Sequence, residues 1–129
     1  MKDLCGNGEK ILVVDDVPEQ RQIVSTLLDR FGYAVHAVSS GEEAVEYVKK
    51  GPIDLLLLDM IMEPGMDGLE TYRKIIEIRP GMKAVIVSGF SETERVKELQ
   101  RLGAGGYVKK PYTLAKIGSA VKAELAKST

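Results

Sequence analysis

Short apolar runs alternate with amphipathic segments along almost the whole chain, and this alternation limits the possible folds more than any other feature. Five runs have the length and composition of strands, at residues 11–14, 33–38, 53–58, 84–87 and 106–109. After each run, apolar residues recur at helical spacing until a glycine or proline interrupts them, except in the last segment. Such alternation predicts a parallel sheet with helices on both faces.

The composition of the runs predicts the order of the strands. The first, third and fourth runs are almost continuously apolar, as central parallel strands are, whereas the second and fifth are mixed. The order 2-1-3-4-5 puts the mixed strands at the edges. We therefore predict the α/β class and a doubly wound, five-stranded parallel sheet of the flavodoxin-like (βα)5 type. Ligands in such folds bind beyond the carboxyl ends of strands 1 and 3.

The helices carry their own boundary signals. Ser40 to Glu43 is a capping-box sequence at the start of the second helix, and Ser91 to Glu94 is another before the fourth. The first helix, residues 18–31, is predicted to bury a face made of Ile23, Val24, Leu27, Leu28 and Phe31.

Size and charge exclude several functions. With 129 residues the chain suits one domain, which we place at residues 10–127 after a polar lead-in at 1–9. A net charge of −1 argues against nucleic acid as a direct partner. The longest apolar runs, such as Leu55 to Leu58, are far too short for membrane insertion. The single cysteine, Cys5, fits a reducing compartment, so a cytoplasmic location is expected.

Three aspartates follow two neighbouring strands of the predicted sheet. Asp15 and Asp16 come directly after the first strand, and Asp59 comes directly after the third. These carboxylates should converge on the ligand crevice, where their repulsion is costly without a cation. Mg²⁺ prefers one or two carboxylates with waters and phosphate oxygens. Helix capping would account for one such aspartate, but three at adjacent strand ends favour a magnesium site.

A hydroxyl and a lysine follow at the ends of the next strands. Ser88 can donate to a phosphoryl oxygen, and Lys110 would bring a positive charge to the same group. Each is a weak signal alone, because serine after a strand is usually a cap and most lysines are merely solvated. Their order along the chain, after the acid pair and the third acid, indicates a phosphoryl site.

Taken together, these motifs resemble the receiver domain of bacterial response regulators over residues 10–127. The resemblance implies phosphoryl transfer from a partner's phosphohistidine to Asp59. The motifs that carry it are Ile11–Asp16 (ILVVDD), Leu56–Asp59 (LLLD), Met66–Gly68 (MDG), Val87–Gly89 (VSG) and Gly106–Pro111 (GYVKKP).

The resemblance also assigns roles to other residues. It implies that Asp15, Asp16 and Asp59 bind Mg²⁺ with the backbone carbonyl of Ile61. It implies that Ser88 and Lys110 contact the phosphoryl group, and that the peptide bond before Pro111 is cis. Ser88 and Tyr107 would be the switch residues, changing the face formed by helix 4, strand 5 and helix 5. The loop after Asp59 is one residue longer than the family's commonest form, and Glu63 is the extra residue.

Partners follow from the same resemblance. The one histidine, His36, is predicted to lie mid-strand at an edge, so the donor is expected to be a histidine kinase or a histidine phosphotransfer domain. A downstream protein would bind the face formed by helix 4, strand 5 and helix 5. The Gly-Met-Asp-Gly stretch is similar to receivers attached to hybrid sensor kinases. The chain could therefore be a domain of a longer protein or a stand-alone protein, and both interpretations stay open. Whether it forms a homodimer also stays open.

Two other classes of protein share some of these features. An aspartate-nucleophile phosphatase also forms an aspartyl phosphate, but it needs a second acid two residues after the nucleophile, where this chain has Ile61. A flavin-binding module needs a phosphate-cradling loop after the first strand, where Asp15 and Asp16 have the wrong charge.

Overall fold

The computed structural model describes residues 6–60, 67–88, 94–109 and 113–127. Its strands and helices alternate strictly along these residues. The strands are β1 (Lys10–Val14), β2 (Ala34–Val38), β3 (Leu55–Asp59), β4 (Ala84–Ser88) and β5 (Gly106–Lys109). The helices are α1 (Pro18–Arg30), α2 (Gly41–Lys50), α3 (Gly68–Ile78), α4 (Glu94–Arg101) and α5 (Leu114–Ala126).

All five strands form one parallel sheet in the order β2-β1-β3-β4-β5. The predicted fold class and strand order are therefore confirmed. Every residue of the central strands β3 and β4 is buried, whereas the edge strands β2 and β5 are largely half-exposed. The division into central and edge strands follows from burial, because a strand that is covered on both faces is apolar along most of its length.

Helices cover both faces of the sheet, and each face has its own apolar core. Alternate residues of β1 separate the two, since Leu12 packs with α2, α3 and α4 while Ile11 packs with α1 and α5. Within the described residues, no helix has the length and apolar character needed to cross a bilayer.

Side chains at the helix starts set where the helices begin. The Ser40 hydroxyl accepts from the Glu43 amide, as the capping-box sequence predicts, but the Glu43 carboxylate accepts from Ser39 instead of Ser40. Asp67 and Thr113 cap α3 and α5 in the same way. The predicted cap at Ser91 lies outside the described residues.

One residue of the predicted core is in fact exposed. Ile23 is 48% exposed, whereas Val24 and Leu28 of the same helix are buried. Consecutive helical residues differ by about 100° around the axis, so the Ile23 side chain points about 100° away from that of Val24, which faces the core with Leu28. The spacing is compatible with a broad apolar face, but the sheet covers only part of it.

A buried tyrosine anchors α3 to the start of β4. The Tyr72 hydroxyl donates to the Met82 carbonyl at 2.7 Å, and the side chain is 1% exposed. Burial, and to a smaller extent the nearby Glu124 carboxylate, raises the pKa of Tyr72 to about 12. The fold therefore requires this hydroxyl to keep its proton.

We expect Tyr72→Phe to lower the free energy of unfolding by about 1–3 kcal/mol at neutral pH, because the Met82 carbonyl loses its buried donor. The folded-state pKa lies above the unfolded-state value, so this stabilisation is complete below about pH 10 and is lost as the pH rises through about 12. The difference between wild type and variant in urea unfolding should therefore shrink across that range.

Tyr47→Phe is the matched control for this prediction. The Tyr47 ring stacks on His36 at the β2 edge, with ring centroids 4.2 Å apart. The substitution keeps this stack, so its effect on stability should be small at every pH. A Tyr72→Phe difference that stays constant between pH 9 and pH 12 would contradict the proposed role of the hydroxyl.

Candidate phosphoryl-transfer site

Three carboxylates come together at the carboxyl end of the sheet. One oxygen from each of Asp15, Asp16 and Asp59 lies within 4.8 Å of the others. Asp15 and Asp59 are buried and Asp16 is half-buried. Carboxylates this close repel one another, and an oxygen-preferring cation is the group that such a donor set fits.

Strand pairing explains why residues far apart in sequence meet here. Val14 pairs with Leu58 in the β1–β3 register, so the residues that follow them, Asp15 and Asp59, lie side by side at the carboxyl end of the sheet. The strands before them are apolar and buried, which fixes this register.

Hydrogen bonds hold the turn after β1. The Asp15 amide donates to the Val38 carbonyl at 3.2 Å, which ties the turn to the end of β2. One Asp15 carboxylate oxygen accepts from the Val17 amide at 2.9 Å. The Asp15 carbonyl accepts from the Arg21 guanidinium at 2.9 Å. Asp15 is therefore held through its amide, its carbonyl and its side chain.

The start of α3 packs directly behind the end of β3. The Gly68 amide donates to the Met60 carbonyl at 2.9 Å. A Cβ at position 68 would lie 2.9 Å from the Asp59 carbonyl oxygen and 3.0 Å from the Met60 Cα, so a larger residue would push the helix away. Gly68 does not have a positive φ, so its backbone conformation does not require glycine. Glycine is needed here because the two backbone segments approach so closely.

Ser88 and Tyr107 occupy the next two strands. Ser88 is the last residue of β4 and is 2% exposed. It lies one residue beyond Val87, which pairs with Asp59, so its hydroxyl is at the same end of the sheet as the carboxylates. Tyr107 lies in β5, half-buried against the core on the α2–α4 face. The other predicted residues of the site, Ile61, Lys110 and Pro111, lie outside the described residues, as does Glu63.

A comparison with known protein families decides the assignment. The response regulator receiver domain profile matches residues 11–122. The chain belongs to the response regulator receiver family. Receiver domains are the phosphoacceptor domains of two-component signalling, and the sequence-based recognition of this family is confirmed.

Known relatives agree with this assignment. This receiver is 34% identical to sporulation initiation phosphotransferase F of Bacillus subtilis over 115 residues, 89% of this chain and 92% of that protein. It is 33% identical to the sensor kinase CckA of Brucella abortus over 127 residues, 97% of this chain and 13% of the kinase. A chain in the crystal structure of the CheX-CheY-BeF3-Mg+2 complex from Borrelia burgdorferi superposes with a TM-score of 0.86, at 27% identity over 95% of this chain and 92% of that chain.

Relatives of different total length share this domain. The chain spans nearly all of the phosphotransferase, about half of two transcriptional regulators and a small part of the kinase. Among these relatives, the receiver domain makes up nearly the whole of one protein and only part of the others.

Two contributions to the site were not predicted from the sequence. Gly68 was recognised within a motif, but its close approach to Asp59 became visible only in three dimensions. Arg21 carries no motif signal, because an arginine one turn into a helix is usually a solvated residue. Its contact with the Asp15 carbonyl depends on how α1 leaves the turn.

We expect Asp16→Asn to raise the free energy of unfolding of the metal-free receiver by on the order of 1 kcal/mol, because it removes one charge from a crowded set. Urea unfolding in the presence of a chelator measures this. Asp29→Asn, at an exposed position of α1, should change stability by no more than about 0.5 kcal/mol. A loss of stability on Asp16→Asn would show that the three carboxylates do not repel one another significantly.

Proposed function

We propose that this receiver accepts a phosphoryl group on Asp59, in a reaction that depends on Mg²⁺. The observation that carries the proposal is the grouping of Asp15, Asp16 and Asp59 within 4.8 Å at the carboxyl ends of β1 and β3. The receiver family is a family of phosphoacceptors, and Asp59 is the member of the cluster that ends β3.

The donor set suits a hard divalent cation. Asp15, Asp16 and Asp59 would hold the ion, with the backbone carbonyl of Ile61 as a further oxygen ligand. Bound Mg²⁺ would offset the charge of the carboxylates and of the incoming phosphoryl oxygens. One similar chain comes from the crystal structure of a CheX-CheY-BeF3-Mg+2 complex, which supports this choice of ion.

The protein's own residues carry out the transfer. A carboxylate oxygen of Asp59 attacks phosphorus, so that an O–P bond forms while the N–P bond of a partner's phosphohistidine breaks. The imidazole leaves with the electron pair of that bond and takes up a proton from solvent. The transition state is loose, so catalysis comes mainly from positioning and charge stabilisation. Asp59 is 5% exposed, which limits access of water to the acyl phosphate once it forms.

Two further side chains would hold the phosphoryl oxygens. The Ser88 hydroxyl would donate to one oxygen, and its place at the end of β4 supports this role. Lys110 directly follows β5 and would bring its ammonium to another. The peptide bond between Lys110 and Pro111 is proposed to be cis, as the resemblance implies.

The readout is proposed to be conformational. Ser88 would move towards the phosphoryl group and Tyr107 would turn inward, altering the surface formed by α4, β5 and α5, which we call the output face. Ser88 pairs with Lys109 in the β4–β5 register, which joins the site to that face. A groove of about 460 Å³ lies on it, bordered by Tyr107, Lys109, Ala115, Lys116, Ser119 and Ala120. A downstream protein, or a second copy of the receiver, would bind there.

The phosphodonor is proposed to be a histidine kinase or a histidine phosphotransfer domain. His36, the chain's one histidine, lies in β2 at the edge of the sheet, stacked on Tyr47. The similarity to the sensor kinase CckA supports a hybrid kinase as one possible context. We place the receiver domain at residues 10–127, after a lead-in at 1–9, and in the cytoplasm, where a lone thiol such as Cys5 stays reduced.

Incubation with acetyl phosphate and Mg²⁺ should add the mass of one phosphoryl group to the wild type, measured by intact mass spectrometry. Asp59→Asn should abolish this increment, because the amide oxygen is a poor nucleophile. Asp54→Asn is the matched control, since Asp54 lies just before the other end of β3 and accepts from the Lys10 amide at 2.8 Å. An equal increment in Asp59→Asn would disprove the assignment of the acceptor.

We expect Lys110→Ala to impair the response to phosphorylation while changing the free energy of unfolding by only about 0.5 kcal/mol. The reason is that its ammonium is proposed to contact the phosphoryl group and not the core. Lys109→Ala, at the exposed end of β5, is the control and should keep the response. Partner binding before and after phosphorylation, together with urea unfolding, measures both effects. Loss of several kcal/mol with an unchanged response would make Lys110 a structural residue.

A further inference from the structure

The Arg21 side chain reaches the Asp15–Asp16 turn from outside the acidic cluster. It lies in the first turns of α1 and is half-buried. Its guanidinium donates to the Asp15 carbonyl at 2.9 Å, across six residues. A charge-assisted hydrogen bond to a backbone carbonyl fixes the orientation of the peptide unit that joins Asp15 to Asp16.

The start of α1 is held by residues on either side of Val17. The residue before α1, Val17, makes no side-chain cap, so the helix start is held by Asp15 and by the Pro18 ring. The Arg21 amide also donates to the Val17 carbonyl at 3.0 Å. This is the ordinary hydrogen bond of a first helical turn, so the contribution that is specific to Arg21 is the one made by its side chain.

The charge of Arg21 acts on the metal site in the opposite direction to its hydrogen bond. A guanidinium near the cluster repels a divalent cation, so through charge alone it weakens metal binding. Hydrogen bonds from the Ser39 amide and hydroxyl lower the pKa of the Glu43 carboxyl at the start of α2, and the charge of Arg21 adds a smaller lowering. The hydrogen bond, by contrast, favours binding if it keeps two carboxylates aimed at one point. The sign of the effect on affinity therefore tells which role dominates.

We infer that Arg21 is a positioning residue for the cation site, holding the peptide unit between Asp15 and Asp16 so that both carboxylates face Asp59. This role rests on the proposed magnesium-dependent function and adds to it a residue that touches neither the ion nor the phosphoryl group. Groups that orient ligands from behind typically change metal affinity by about 10–100-fold.

The test is Mg²⁺ titration of the unphosphorylated receiver by isothermal calorimetry at fixed ionic strength. Arg21→Met should raise the dissociation constant about tenfold, even though it removes a repelling positive charge. Arg21→Lys, whose ammonium can donate to the same carbonyl, should recover part of that affinity. Arg30→Met, in the last turn of the same helix, removes an equal charge far from the turn and should leave the constant unchanged.

The outcomes separate this inference from the proposed function. If wild type fails to bind Mg²⁺, the proposed function itself is wrong. If wild type binds and Arg21→Met binds equally well or more tightly, only the positioning role is overturned. A loss in Arg30→Met equal to that in Arg21→Met would assign the effect to net charge, and a lysine variant no better than the methionine variant would contradict the hydrogen-bond role.

Discussion

The parallel pairing of β1 with β3 at the centre of the sheet is the interaction on which the site depends. Both strands are apolar and buried on both faces, so neither can slip by one residue without turning its side chains towards the wrong core. The register ends with Val14 opposite Leu58, and the chain can leave this buried layer only where polar residues begin. Two aspartates follow one strand and a third ends the other. Hydrophobic burial therefore places three negative charges together, although the charges themselves oppose it.

The surrounding structure offsets this repulsion through hydrogen bonds and close packing. Asp15 is held through its amide, carboxylate and carbonyl by Val38, Val17 and Arg21 respectively. Behind Asp59, the start of α3 comes so close that only glycine fits at position 68. Electrostatically unfavourable arrangements are common at functional sites. Here the arrangement lowers local stability, and it holds the carboxylates in position to bind a cation or a phosphoryl group.

The same architecture links the site to a distant surface. At one end of β4, Ser88 lies near the carboxylates. At the other end, the residue before the strand, Lys83, donates through its ammonium to the Leu125 and Lys127 carbonyls at the end of α5. β5 lies alongside β4 and carries Tyr107, half-buried beside the groove on the output face. In the proposed readout, a movement of Ser88 would reach the output face through the pairing of β4 with β5.

The sequence by itself determined the fold and the grouping of three carboxylates at one edge of the sheet. Strand composition separated central from edge strands, and together with the alternation of elements it favoured the order 2-1-3-4-5, because both depend on burial patterns that are visible along the chain. It also placed Asp15, Asp16 and Asp59 together, since parallel strands end at one edge. The tertiary structure alone decided that Ile23 is exposed, that Gly68 touches the backbone behind Asp59, and that Arg21 reaches the Asp15 carbonyl. These features depend on distances between elements and on the width of the contact each helix makes with the sheet, and no residue pattern encodes such distances locally.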